Sequence, residues 1–236
     1  DKAEVKQKKD KYLERLLKAI KEYRLKVDQQ KIIEAYQFAK EAHQGQFRRS
    51  GDPFISHCIE VALILIQHYL KTPSIVAGLL HDTVEDTKVT IEEIEKRFGQ
   101  EIALLVNGLT KISHLNFKSR AEFQVENFRK MILAMARDVR VILIKLADRL
   151  TNMRTLEYLD QEVAERIAIE TLDIYVPLAH RFGLYIIKTE LEDLCFKTIY
   201  PQEYEYLSQK VFVHKTHMAV SYTHLRAHET SLHLVC

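Results

Sequence analysis

Apolar residues recur along this chain at steps of three and four, the period of an amphipathic helix, and rarely alternate as a strand requires. Tyr12, Leu13, Leu16, Leu17 and Ile20 fall on one face of a helix within residues 2–26, whose opposite face is rich in Lys. That basic face has two readings, a solvated surface or a site for an anionic partner. A second helix runs from Ile32 to His43, a third from Ile55 to about Leu70, and a fourth begins at Pro73 with Thr72 as its N-cap and ends on His81 and Asp82. Between the second and third, residues 44–53 hold two Gly, one Pro and two Arg, the composition of a loop. Thr90 with Glu93 fits a capping box closed by Gly99, and Ser119 with Glu122 fits another that opens a helix to about Ala136. Residues 138–156 are apolar almost all round and read as a buried helix despite their β-branched content. Helices over 161–176, 184–198 and 201–210 complete an all-α pattern, a helical bundle without internal repeats.

Composition agrees. The 236 residues include only six Gly and four Pro, too few for the turns of an all-β fold, and the formal net charge of +2 makes no general case for nucleic acid. Cys58, Cys195 and Cys236 show no paired spacing and read as reduced thiols of the cytoplasm. No apolar run approaches the length of a membrane span, and the Lys-rich N-terminus lacks the apolar core of a signal peptide. The chain opens on Asp1 rather than Met, which suggests an excised fragment. Five of eleven histidines, at 214, 217, 224, 228 and 233, crowd the last stretch without a carboxylate cluster. Residues 214–236 have three readings: non-native, out-of-frame sequence; a disordered linker; or a metal-binding tail.

The candidate chemistry lies at helix ends. His81 and Asp82 close the apolar run Ile75–Leu80, where a bare carboxylate must be paired, hydrated or metal-bound. Glu85 follows His81 by four residues and would share its face if the helix continued, with Asp86 next to it. Such crowding of carboxylates is relieved by a divalent cation. His57, one turn into its helix, and Asp148, ending the apolar run 139–147, are two further candidates. Two imidazoles and two carboxylates suit Mn, Fe or Zn better than Ca. Each also has a plain reading: His57 as an ordinary core or surface histidine, Asp148 as a salt-bridge partner of Arg149 or Arg154, Glu85 and Asp86 as helix-end charges.

Several strings carry a family resemblance. They are His43-Gln-Gly-Gln-Phe-Arg-Arg-Ser-Gly-Asp-Pro-Phe-Ile-Ser-His57, Val76-Ala-Gly-Leu-Leu-His-Asp-Thr-Val-Glu-Asp-Thr87, Val106-Asn-Gly-Leu-Thr-Lys-Ile112, Glu126-Asn-Phe-Arg-Lys-Met131, the run from Val139 to Thr155, and Tyr175-Val-Pro-Leu-Ala-His-Arg-Phe-Gly-Leu184. From about residue 30 to 210 the chain resembles the N-terminal HD hydrolase domain of the long Rel/Spo-type bifunctional alarmone enzymes of the bacterial stringent response. The resemblance implies an HD-domain helical bundle that removes the 3′-pyrophosphate of (p)ppGpp, giving GDP or GTP plus pyrophosphate. It implies Mn²⁺ held by His57, His81, Asp82 and Asp148, with Glu85 and Asp86 as catalytic groups handling water and protons. It puts Arg48 over the guanine, Arg49 and Ser50 in the nucleotide pocket, and Asn152 and Thr155 on the ribose wall. The polyanionic substrate also suits Lys145 and Arg149. Cys58 stands where the family often has Pro, and Thr151 where it usually has His; neither replaces an implied ligand.

These readings divide the chain into a basic N-terminal helix (1–29), a hydrolase domain (30–198), the start of a linker toward a missing synthetase domain (199–213) and the tail (214–236). No Gly-rich nucleotide loop is present, so synthetase activity is not expected, nor are DNA, membrane or ribosome as partners. Alternatives are another HD phosphohydrolase acting on a nucleotide, or a non-catalytic nucleotide-binding fragment.

Overall fold

The computed structural model describes residues 10–113 and 138–211. The expected helix opening at Ser119 and the His-rich tail lie outside them. Eleven named α-helices succeed one another: α1 (Lys11–Glu22), α2 (Gln29–Ala42), α3 (Ile55–Gln67), α4 (Thr72–Leu80), α5 (Thr83–Asp86), α6 (Ile91–Phe98), α7 (Gln100–Ser113), α8 (Val139–Met153), α9 (Gln161–Glu170), α10 (Val176–Arg181) and α11 (Tyr185–Ile199). A further helix covers 201–211, and the described residues contain no strand, only an isolated bridge between Phe47 and Pro53. The all-α expectation holds. No helix among the described residues is long and apolar enough to cross a membrane.

The centre of the bundle is α3 against α4, with α2, α7 and α8 packed around them and α1 laid on α3 through Leu16, Ala19 and Ile20. All residues from Ser74 to Leu80 are buried, and α3 buries ten residues, so both helices are core all round. Burying each such Leu or Ile contributes about 1.5–3 kcal/mol. Helix α8 behaves as its apolar run predicts, with no exposed residue from Arg140 to Met153. Asp138 caps it, accepting from the Arg140 N–H at 2.9 Å. Helices α9, α10 and α11 pack on one another and reach the core through α11 against α8.

Two boundaries differ from expectation, each for a local reason. Thr72 does not cap α4; Lys71 occupies the N-cap, and the Thr72 hydroxyl instead accepts the backbone N–H of Asp28 at 2.9 Å. The helix expected to run unbroken over 161–176 is interrupted by a π-turn, Thr171–Tyr175, in which the Val176 N–H reaches the Thr171 carbonyl. Pro177 has no N–H to offer the carbonyl four residues back, so the ladder shifts there. The fourth helix ends where expected, at Leu80 with His81 as its C-cap, and a separate short helix carries Glu85. The His81 ring takes the Gly78 carbonyl at 2.8 Å and the Thr83 hydroxyl takes the Leu80 carbonyl at 2.6 Å, so side chains meet acceptors at the end of α4.

Gly78 lies where the two central helices pack closely. A Cβ there would stand 2.5 Å from Leu65 Cδ1 on α3. We therefore expect Gly78→Ala to destabilise the fold by about 1–3 kcal/mol through overpacking, despite the gain in helix propensity. In a Leu65→Ala background the same change should be neutral or stabilising, because the new methyl occupies space the leucine vacates. Urea unfolding of the four variants measures this; an equal loss in both backgrounds would refute the contact as the cause.

Candidate active site

Three helices deliver four ionisable side chains to one point. His57 comes from the first turn of α3, where its N–H and that of Ser56 bond to the Phe54 and Pro53 carbonyls. His81 and Asp82 form the joint between α4 and α5, and Asp148 comes from the buried middle of α8. The His57 Nε2 lies 3.2 Å from His81 Nε2, 3.2 Å from Asp148 Oδ1 and 3.5 Å from Asp82 Oδ2. The His81 Nε2 lies 3.1 Å from Asp82 Oδ1 and 3.7 Å from Asp148 Oδ1. Ligands about 2.1 Å from a common cation stand about 3.0–3.4 Å apart in octahedral or tetrahedral arrangements. Three of the five spacings fall in that range and the other two, 3.5 and 3.7 Å, lie just beyond it, so the donor set fits a divalent transition-metal ion after small adjustments. His57, His81 and Asp148 each place one ligand atom within 4.8 Å of the others. Asp82, touching both imidazoles, is the member nearest solvent, its side chain 17% exposed.

Neighbouring groups orient these donors. Because the Gly78 carbonyl can only accept, His81 carries a proton on Nδ1, and Nε2 is the atom it turns inward. Asp148 accepts from Lys145 Nζ on Oδ2 at 2.7 Å and from the Asn152 amide on Oδ1 at 2.8 Å. Burial lowers the His57 pKa. Burial opposes the charge on His81 as well, but the Asp82 and Asp148 carboxylates outweigh it and hold that imidazole at about 10. Burial also opposes ionisation of Asp148, yet Lys145 and the two imidazoles keep it well below the usual carboxylate range; Asp82 is lowered in the same way, by His81 above all. The cluster thus grips a proton where a cation would bind.

Glu85 and Asp86 occupy the short helix α5 directly after the joint, Glu85 half-buried and Asp86 exposed. Burial and the charge of Asp82 raise the Asp86 pKa, partly offset by His43, His81 and His57. That places a carboxyl with elevated proton affinity beside the cluster, as proton handling requires.

Asp148 also lines a cleft of ≈ 440 Å³, the size range of small-ligand sites, and the nominated residues Arg48, Arg49, Ser50, Lys145, Asn152 and Thr155 line it too. The Arg48 guanidinium donates across it to Asn152 Oδ1 at 2.8 Å and Thr155 Oγ1 at 3.2 Å. Arg49 is 4.0 Å from Asp160, and the Ser50 hydroxyl donates to Asp52 at 3.0 Å. Arg149, also in the wall, is held by Glu170 at 2.7 Å and by the Tyr175 ring 4.1 Å from its carbon; Asp148 therefore pairs with Lys145 rather than with Arg149. Arg154 is bound elsewhere, to Glu190. Thr151 bonds back to the Ala147 carbonyl, and Cys58 is fully buried beside His57. Sequence reasoning missed two residues at this site, His43 and Gln46. The Gln46 amide donates to the Asp86 carbonyl at 2.9 Å and faces His43 Nδ1 at 2.7 Å. Both lie inside a matching string, but a bond from side chain to backbone forty positions away leaves no periodic signal.

A model of the HD domain matches residues 35–185. A guanosine-3′,5′-bis(diphosphate) 3′-pyrophosphohydrolase of Haemophilus influenzae is 54% identical over 175 residues, covering 74% of this chain and 26% of that protein. The bifunctional (p)ppGpp synthase/hydrolase SpoT of Escherichia coli K12 is 50% identical over 181 residues, covering 77% and 26% respectively. A GTP pyrophosphokinase of Myxococcus xanthus is 55% identical over 183 residues, covering 76% of this chain and 24% of that protein. The chain therefore spans about a quarter of the length of the curated relatives it matches. A solved structure of a metazoan ortholog of SpoT, described as hydrolysing ppGpp, superposes with a TM-score of 0.58 at 29% identity, covering 71% of this chain and 94% of that one.

Because His81 holds its proton up to about 10, a divalent cation entering at neutral pH must displace it. Binding of a divalent cation is expected to release about one proton and to strengthen as pH rises from about 6 to 8. Titration calorimetry in buffers of different ionisation enthalpy reads this directly; heats independent of the buffer would contradict it.

Proposed function

The chain belongs to the HD-domain family, and from that premise we propose that it is a Mn²⁺-dependent hydrolase that removes the 3′-pyrophosphate of guanosine tetra- and pentaphosphate. The observation that carries this reading is the meeting of His57, His81, Asp82 and Asp148 beside a cleft walled by Arg48, Lys145, Arg149 and Asn152. Relatives at 50–54% identity are named for removal of that 3′-pyrophosphate. The assignment of residues 30–198 to the hydrolase unit, with 199–213 leading on from it, belongs to the same proposal.

The four donors would hold the cation. A cation so held lowers the pKa of water and draws electron density from a phosphoryl oxygen. The protein's own groups do the rest. Lys145 and Asn152 fix the Asp148 carboxylate, and the Gly78 carbonyl fixes the His81 tautomer. One water is consumed: its oxygen joins the phosphorus attached to O3′, the P–O3′ bond breaks, and a proton passes to O3′. Asp86, with its raised pKa, and Glu85 beside it are the groups assigned to that proton traffic. Arg48 presents a planar guanidinium suited to stacking on guanine, a role in which Lys would not replace it. Arg49, Ser50 and Thr155 complete the nucleotide wall, and Arg149 adds positive charge for the phosphates.

With Mn²⁺ supplied, the protein is expected to release pyrophosphate from ppGpp and to stop when a chelator is added. Asp82→Ala should lose both bound metal and turnover, and robust Mn-dependent cleavage by that variant would sink the assignment. Glu85→Gln and Asp86→Asn should keep metal but lower kcat about 10²–10⁴-fold. Arg48→Ala should raise KM for ppGpp about tenfold with metal content unchanged. A panel of dNTPs, NADPH and cyclic nucleotides tests the alternative: preference for any of these over ppGpp would assign another HD phosphohydrolase activity.

A further inference from the structure

Helix α5 is four residues long, and its N-cap, Asp82, makes no side-chain capping bond. So short a helix has no stability of its own, and its carbonyl end needs donors from elsewhere. Gln46 supplies one, donating from Nε2 to the Asp86 carbonyl at 2.9 Å. The other end of the same amide, Oε1, faces His43 Nδ1 at 2.7 Å. Since the Asp86 carbonyl only accepts, the amide orientation is settled, and with it the proton on His43 Nδ1. His43 is itself anchored. It closes α2 with its backbone N–H on the Ala39 carbonyl, and its ring stacks on Phe54 at 4.4 Å and 21°. It is 3% exposed, and its Nε2 has no hydrogen-bond partner. A phenyl ring would stack there as well without an unpaired buried nitrogen, so what the imidazole adds is the Nδ1 donor.

We propose that His43 and Gln46 are positioning residues, a strap from the end of α2 that fixes the Glu85–Asp86 turn against the metal ligands. The proposal rests on the reading that these two carboxylates handle the water's protons. His43 and Gln46 act through the Asp86 backbone; neither is assigned contact with substrate. A displacement of about 1 Å in a reacting group can cost as much as a hundredfold in rate, so loosening this turn affects turnover without emptying the site.

His43→Phe keeps the ring stack and removes both nitrogens. Gln46→Leu keeps the size and removes donor and acceptor. His43→Asn puts an amide N–H where Nδ1–H stood. Each of the first two is expected to lower kcat on the order of tenfold, leaving KM, Mn content and unfolding midpoint as in the wild type. The double variant should fall no further than either single one, because both break one strap. His43→Asn should recover part of the rate lost in His43→Phe. Hydrogen exchange at the amides of residues 83–88 should quicken in both broken-strap variants. Additive losses, an effect confined to KM or metal content, or unchanged exchange would overturn the proposal. A wild-type protein that does not cleave ppGpp would overturn the functional reading instead, and the exchange comparison would still decide the strap.

Discussion

Helices α3 and α4 touch where Gly78 faces Leu65, with no room for a methyl group between them. That close packing brings together side chains that the two helices carry. Along the chain His57 lies about two turns before Leu65 and His81 three residues after Gly78, and their Nε2 atoms meet at 3.2 Å. Gly78 contributes twice: its missing side chain allows the approach, and its carbonyl orients the His81 ring. Helix α8 then adds Asp148 from an almost wholly buried stretch, so the donor set is braced by packing on three sides.

A cluster of this kind is costly in an apolar core unless its charges balance. Here two carboxylates face the Lys145 ammonium and one imidazolium, which together come close to neutrality. Exchanging the imidazolium proton for a divalent cation tips the balance to positive. Arg48 and Arg149 line the adjoining cleft, so the field there favours a polyanion. Under the proposed function, metal capture and attraction of a phosphorylated ligand would be coupled through the same charges.

The second layer of helices matters through Arg149. The π-turn before Pro177 carries Tyr175, whose ring packs on the guanidinium, while Glu170 from the preceding helix pairs with it. A regular helix through that stretch would turn Tyr175 to another azimuth. The irregularity thus bears on the cleft, as such bulges often do.

Much of this was legible in the residue order. Apolar periodicity is imposed by helix geometry, so the helices and the burial of residues 140–153 followed from sequence, as did the Thr90 cap. His81 and Asp82 stood out because carboxylates and imidazoles rarely end apolar runs without a partner. What sequence could not supply were contacts between distant segments. Thr72 looked like a cap until Asp28, forty-four positions away, claimed its hydroxyl. Gln46 gained its meaning only when folding brought it to Asp86. Local pattern is fixed by the spacing of neighbours along the backbone, and the chain carries that information by itself. The meeting of His57, His81, Asp82 and Asp148 is fixed by how three separate stretches of chain pack, and that was decided only in three dimensions.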